Sequence, residues 1–292
     1  MRSTGSALQT YNVTSSGHIT PSQVFTYTIS SPGPVPNRHE APHPHEAILD
    51  PTQQYLLIPD LGADLVHIYA IDQKTNLLTA LTPLKAKAGS GPRHGAFTLD
   101  PIAGHYVFYL VAEIASSVTA YRVTYVDTVG GMTFEEIGVY STLAPGEAIP
   151  ATTTGESTSV AAEVAVSVSS LFLPPKLHLS VSDSQQPDGS TLLISNRRDL
   201  TFNNTTPPSD SMSAFSISTI DGTLSFLQLF PAGGSYPRQF ALNRAGNLAA
   251  VGLQETGSVS ILERDLLSGV FEREVSSIAI GGGQVVCVVW DE

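Results

Sequence analysis

Cysteine is almost missing: the 292 residues hold one, Cys287, so no intrachain disulfide staples this fold. Cys287 lies in the apolar run 285–290 and reads as a buried apolar side chain. Charge is also scarce, at 14% of residues, and basic charge is the scarcer sign. Lys and Arg number 14 against 26 Asp and Glu, a net −12. That balance excludes the basic face that nucleic-acid binding needs. It leaves room for a small anion, because a few arginines can be focused in one cleft. No apolar run reaches the ~20 residues of a membrane-spanning helix, so no membrane partner is expected. Residues 1–10 are polar and lack the apolar stretch of a signal peptide. As written, the chain is expected in the cytoplasm; secretion stays open if an N-terminal segment is missing. Asn12-Val13-Thr14, Asn203-Asn204-Thr205 and Asn204-Thr205-Thr206 fit the glycosylation pattern and keep it open too. Helical periodicity is sustained nowhere, whereas period-2 alternation is common, so almost no helix is expected.

What the chain has is one phrase, written three times. His45-Glu46-Ala47-Ile48-Leu49-Asp50-Pro51 is followed by Tyr55-Leu56-Leu57-Ile58-Pro59-Asp60 and Asp64-Leu65-Val66-His67-Ile68-Tyr69. Arg93-His94-Gly95-Ala96-Phe97-Thr98-Leu99-Asp100-Pro101 is followed by 106–113 and by Ser117-Val118-Thr119-Ala120-Tyr121. Arg238-Gln239-Phe240-Ala241-Leu242-Asn243 is followed by 248–254 and by Ser258-Val259-Ser260-Ile261-Leu262. Each is an apolar strand, a tight turn, a second apolar strand, a polar loop and a third strand. From His45 to Arg93 is 93 − 45 = 48 residues, and a period of roughly 40–50 residues with several strands marks a β-propeller blade. Asp50-Pro51 and Asp100-Pro101 recur as turn formers.

Residues 7–13 and 23–29, joined by Ser15-Ser16-Gly17, read as half a blade. A Pro- and His-rich loop over 31–44 leads into full blades over 45–84 and 95–143. Residues 144–158 form a Pro/Gly/Thr linker, and the pattern weakens from Ala161 until Leu192. Residues 213–217 and 224–230 complete that blade, and 238–280 make the next. Residues 285–290 then read as a ring-closing strand. The expectation is all-β, one incomplete propeller domain over 1–292: about four full blades, a half blade and a closing strand.

The stretches Ala41-Pro42-His43-Pro44-His45-Glu46, Pro59-Asp60-Leu61-Gly62-Ala63-Asp64, Gly91-Pro92-Arg93-His94, Ser195-Asn196-Arg197 and Gly234-Ser235-Tyr236-Pro237-Arg238 resemble the lactonase family of seven-bladed propellers. That family includes bacterial 6-phosphogluconolactonases and fungal carboxy-cis,cis-muconate cyclases. The resemblance implies a seven-bladed fold of which this chain has the C-terminal four-fifths or so. Residues 144–190 match it poorly.

In a propeller, residues at equivalent repeat positions converge at the channel mouth. His45, Arg93 and Arg238 start the first strands of their blades. Glu113 and Gln254 end second strands, and Arg197 and Asp60 are read as doing the same. Different charged residues at one repeat position suggest a site. The resemblance implies that His45, Arg93, Glu113 and Arg197 carry catalysis. Arg238, Gln254 and Asp60 are the expected substrate contacts. Histidine suits proton transfer near neutrality, and arginine's planar fork suits a carboxylate or phosphate. Glu113 is either a general acid/base or the partner that orients an arginine. Against this, Arg93 and Arg238 could equally tie blades together, and Asp60 and Gln254 suit strand-end caps. His39, His43 and His45 are loop-borne with no Cys or carboxylate set beside them, so neither a metal nor a cofactor is expected.

Two function classes follow. One is an enzyme acting on a small anionic lactone or carboxylate, hydrolysing a sugar lactone or cyclising a muconate-type acid. The other is a non-catalytic binding propeller or an inactive fragment, since propellers host many functions. Oligomeric state is left open.

Overall fold

The computed structural model describes residues 6–99, 106–126, 131–146, 159–168, 187–199 and 201–291, and no helix occurs among them. Hence none is long and apolar enough to cross a membrane. Strands β1 (Ala7–Val13) and β2 (Ile19–Thr26) form a two-stranded sheet. The first full blade is β3 (Ile48–Leu49), β4 (Tyr55–Asp60), β5 (Leu65–Ile71) and β6 (Leu78–Ala80), with β7 (Leu84–Lys85) also on β5. The second is β8 (Pro92–Leu99), β9 (Tyr106–Ala112), β10 (Ser117–Val126) and β11 (Gly131–Ser141). The third is β12 (Val160–Val168), β13 (Pro187–Arg197), β14 (Ser211–Ile217) and β15 (Leu224–Pro231). The fourth is β16 (Pro237–Leu242), β17 (Leu248–Leu253), β18 (Ser258–Arg264) and β19 (Phe271–Ala279). All neighbours are antiparallel.

The core lies between blades. On β9, Val107, Tyr109 and Val111 pack with Val164, Leu192 and Phe215 of the third blade. Phe108 and Leu110, pointing the other way, pack with Leu57 and Val66 of the first. A second strand buried on both faces must be apolar throughout, which is why these runs stood out in the sequence. Polar ties supplement the packing. Gln23 exchanges two hydrogen bonds with the backbone of Leu78, at 3.1 and 2.8 Å. Gln228 does the same with Phe271, at 3.0 and 2.9 Å. Asp50 accepts from the backbone N–H of Thr52, Gln54 and Tyr55, fixing the β3–β4 turn. Asp100-Pro101 lies outside the described residues.

The structure corrects two expectations. Residues 285–290 form no strand: they pass the open edge of β16 without a backbone ladder and meet it through side chains. Val288 N–H donates to Gln239 Oε1 (2.7 Å) and Trp290 Nε1 to the Ala241 carbonyl (2.9 Å). Only Val285 of this run is buried, and Cys287 faces solvent. The weak stretch after the linker holds a regular strand, β12, whose residues 160–167 are buried. Its Ala, Val and Ser content suits a strand packed on both faces but carries little pattern. Residues 147–158 of the expected linker lie outside the described residues.

Candidate functional site

Each full blade's innermost strand begins with one residue too many. Pro44 pairs with Asp60 and Ile48 with Leu57, so 45–47 face only 58–59. Arg93 is extra between the pairs Pro92–Ala112 and His94–Val111. Ala162 and Glu163 face Ser195 alone, between Ala161–Asn196 and Val164–Ile194. Arg238 is extra between Pro237–Leu253 and Gln239–Gly252. Such bulges bend a strand and re-aim its side chains, and they cluster beside active sites. Aligned on these pairs, His45, Arg93, Ala162 and Arg238 are equivalent, as are Leu61, Glu113, Arg197 and Gln254.

Five of these eight positions converge on a cavity of about 450 Å³ lined by Arg38, His45, Arg93, Glu113, Val160, Arg197, Arg198, Tyr236 and Arg238. Five expected residues, His45, Arg93, Glu113, Arg197 and Arg238, are among its walls. The walls carry five guanidiniums and one carboxylate in a protein of net charge −12.

Glu113 is the hub. Its Oε2 lies 2.7 Å from Arg93 Nε and 2.7 Å from Arg197 Nη2, and its Oε1 accepts from Arg38 Nη2. Arg93 Nε lies close but off the hydrogen-bond axis, so that contact is an ion pair. Arg93 also donates to the Ala162 carbonyl of the next blade at 2.7 Å; it is a blade tie as well as a cavity wall. Burial opposes ionisation of Glu113, but Arg197, Arg93 and Arg38 outweigh it and hold its carboxyl below the usual range. A carboxylate held ionised by three guanidiniums is a poor general acid at neutral pH.

His45 is pushed down to about 3, first by desolvation in the cavity and then by the Arg93 guanidinium. Its surface is still open to solvent, so screening trims the size of that shift, and its sign decides the chemistry. His45 is a neutral imidazole at pH 7, able to accept a proton. Its backbone N–H is held by the Pro59 carbonyl at 3.0 Å.

Asp60 and Gln254 are not cavity walls. Asp60 is fully buried and accepts from His43 N (2.7 Å) and Ala63 N (3.1 Å), with His67 Nε2 at 3.0 Å. The expected alignment is off by one here: Leu61, not Asp60, is equivalent to Glu113, and one step along a strand reverses the side chain. Gln254 accepts from Arg238 Nη1 at 3.2 Å and donates to Gln284 at 2.8 Å, so it holds an arginine from behind.

The sequence reading missed Arg38, Arg198, Val160 and Tyr236. Arg38 sits in a loop outside the repeat, so no pattern marked it. Arg198 and Tyr236 have left-handed backbones, with φ of 57° and 65°, which are costly for non-glycine residues and concentrate at functional sites. Tyr236 lies between two guanidiniums, 5.0 Å from Arg197 and 5.6 Å from Arg198. A paired Arg-Arg beside a quoted motif was the available signal. His39, His43 and His45, from which no metal site was expected, have separate partners: His39 Nδ1 accepts from Val35 N at 3.1 Å, and His43 Nε2 lies 3.3 Å from Glu40. Among the described residues, the group with metal-ligand spacing is Glu46, His94 and Glu163.

The family described as "Lactonase, 7-bladed beta-propeller" matches residues 3–290. The Arthroderma benhamiae protein named "Probable 6-phosphogluconolactonase" is 31% identical over 281 residues, 96% of this chain and 61% of that protein. The Bacillus subtilis 6-phosphogluconolactonase is 27% identical over 243 residues, 83% of this chain and 56% of that one. The chain thus spans about three-fifths of the length of these relatives. The solved Pseudomonas aeruginosa periplasmic gluconolactonase shares the fold, with a TM-score of 0.71 at 23% identity over 95% of this chain and 65% of that one.

Proposed function

Because the chain belongs to the lactonase family of seven-bladed β-propellers, we propose that it carries the substrate site of an enzyme hydrolysing a phosphorylated sugar lactone. The observation that supports this is the cavity's charge: five arginines against one carboxylate. Glu113 neutralises part of the Arg38, Arg93 and Arg197 set. Arg198 and Arg238 have no carboxylate within ion-pair distance among the described residues. They are placed to bind a dianionic group at the mouth.

In this reading the arginines hold the anion and stabilise the oxyanion that forms when water adds to the lactone carbonyl. His45, as the neutral base, takes the water proton as the new C–O bond forms. It returns that proton to the ring oxygen as the ring C–O bond breaks. The product is an open-chain hydroxy acid. Glu113 acts through its arginines and is a positioning residue. Lactone formation from a muconate-type polycarboxylate is a different step, in which a carboxylate oxygen adds to a carbon–carbon double bond and a proton is delivered to the neighbouring carbon; the same arginines would hold its carboxylates. A panel settles the matter: a phosphorylated aldonolactone, its unphosphorylated parent and a carboxymuconate, each followed with this chain. Preference for the phosphorylated lactone supports the reading. Turnover of the muconate alone would replace it, and saturable binding with no turnover would leave a binding propeller.

A further inference from the structure

One step beyond the arginine ring, the same bulged strands bear Glu46, His94, Glu163 and Gln239 at one shared repeat position. Three of these converge. His94 Nδ1 is 2.7 Å from Glu163 Oε1 and 4.0 Å from Glu46 Oε2. One donor atom from each of the three residues lies within 4.8 Å of the others. The side chains are 14%, 11% and 31% exposed for His94, Glu163 and Glu46, so they are sheltered yet reachable. Backbone N–H groups hold the carboxylates in place: Gly95 donates to Glu46 Oε2 at 2.9 Å and Val164 to Glu163 Oε1 at 3.1 Å. Gln239, the fourth member, is occupied by the Phe240 carbonyl and Val288 N–H.

We propose that Glu46, His94 and Glu163 form a binding site for one divalent transition-metal ion, Zn²⁺ by the chemistry of its donors. Three ligands, one imidazole nitrogen and two carboxylates, with a fourth position open, is the pattern of a reactive or exchangeable zinc site. Bonds of about 2.0–2.2 Å put ligands about 3.3 Å apart in a tetrahedron, so one pair opens and another closes by less than about 1 Å. The hydrogen bond between His94 and Glu163 leaves Glu46 converging on the same point, held there by the Gly95 N–H rather than by the histidine. The three ligands come from three successive blades, so the ion would cross-link them. It would also sit beside the cavity, since the His94 and His45 rings are 6.3 Å apart.

The test uses the whole chain stripped with a chelator. Calorimetric titration with Zn²⁺ should show one site binding at micromolar or tighter concentration, with a melting temperature several degrees higher. Co²⁺ should give the visible absorption of a four-coordinate N/O site. His94→Gln and Glu163→Gln should each weaken Zn²⁺ at least tenfold, as ligand loss does, while His43→Gln leaves binding unchanged. Absence of saturable Zn²⁺ binding to the wild-type chain below about 1 mM would overturn the proposal, whatever the variants do. So would tight binding that both His94→Gln and Glu163→Gln retain, because another group would then hold the ion.

Discussion

At the residue scale the cavity depends on where protons and charges reside. His45 is held neutral, so if it is the base, kcat/KM should stay flat from pH 8 to well below the ordinary histidine range of about 6.5 and fall only in more acidic solution. The limb near neutrality that an unperturbed histidine would give is not expected. His45→Ala should lower kcat/KM by roughly 10²–10⁴-fold and remove that acid limb; an unchanged profile would show that the base is elsewhere. Arg93 is a poor probe by comparison, because it is buried, paired with Glu113 and tied to Ala162. Its loss would damage folding and chemistry together. Exposed Arg198 separates them: Arg198→Ala should raise KM for a phosphorylated lactone about tenfold or more, as loss of a charged hydrogen bond costs about 1.5–3 kcal/mol, with the melting temperature unmoved. Glu113→Gln should instead cost about 3–5 kcal/mol of stability, since it leaves buried guanidiniums uncompensated; the denaturant midpoint reads it.

Glu113 and His45 act on stability in one direction. Glu113 titrates below its unfolded value, so its contribution is full above the unfolded carboxylate range and is lost as pH falls through and below it. His45 also titrates below its unfolded value, so between about 3 and the unfolded 6.5 the unfolded chain binds the extra proton and stability rises with pH. Glu46, pushed up to about 7 by burial, works the other way over part of that window, so the His45 contribution is read as a difference between variants: the melting temperature of the wild type should fall more steeply from pH 7 to 4 than that of His45→Gln.

At the scale of elements, the bulge at the start of each inner strand is the device that builds the mouth. Without the extra residue, strict alternation would send Arg93 and His94 to opposite faces. The glutamine ties are a second device. Gln228→Ala removes two hydrogen bonds to Phe271 and should cost about 1–3 kcal/mol, since partners left unpaired lose their compensation. Amide exchange should quicken at Phe271 and along β19 before the rest of the sheet; unaltered protection there would show that packing alone holds the blades. Elements were also the most legible part of the sequence. The second strands of the first, second and fourth blades were read closely, because apolar runs buried on both faces are unmistakable; β1, largely exposed, was read from the Ser15-Ser16-Gly17 turn that follows it. The strand over 285–290 was misread because an apolar run does not say whether its backbone will pair: the open edge of β16 lies beside it, yet the contacts run through the Gln239 and Trp290 side chains.

At the scale of the whole molecule, a strongly acidic chain holds a locally cationic cavity. The five arginines can act on a substrate anion because they line one mouth, and salt screens their combined field over a Debye length of about 8–10 Å. Substrate KM should rise as salt is added, although the protein's net charge has the same sign as the substrate. A KM indifferent to ionic strength would count against the arginine cavity as the binding site. Apolar side chains also stay exposed on both flanks of the blade series: Val13, Ile19 and Val24 on the half blade, and Val275, Ile278 and Val289 at the far end. Such patches favour association. The isolated chain should self-associate in size-exclusion chromatography with light scattering, and a clean monomer with a sharp, reversible melt would oppose this.

The sequence by itself determined the all-β blade series, its period and the start-of-strand ring of His45, Arg93 and Arg238. Those features are local: alternation and repeat spacing are written in consecutive residues and survive without knowledge of neighbours. Only the tertiary structure decided the second ring position, which belongs to Leu61 and not to Asp60. It alone brought in Arg38 from a loop outside the repeat, and it set His94 against Glu163, 69 residues apart. The physical reason is register. A one-residue offset reverses every side chain on a strand, and bulges that add one residue appear in the pairing of two strands, never in either strand read alone.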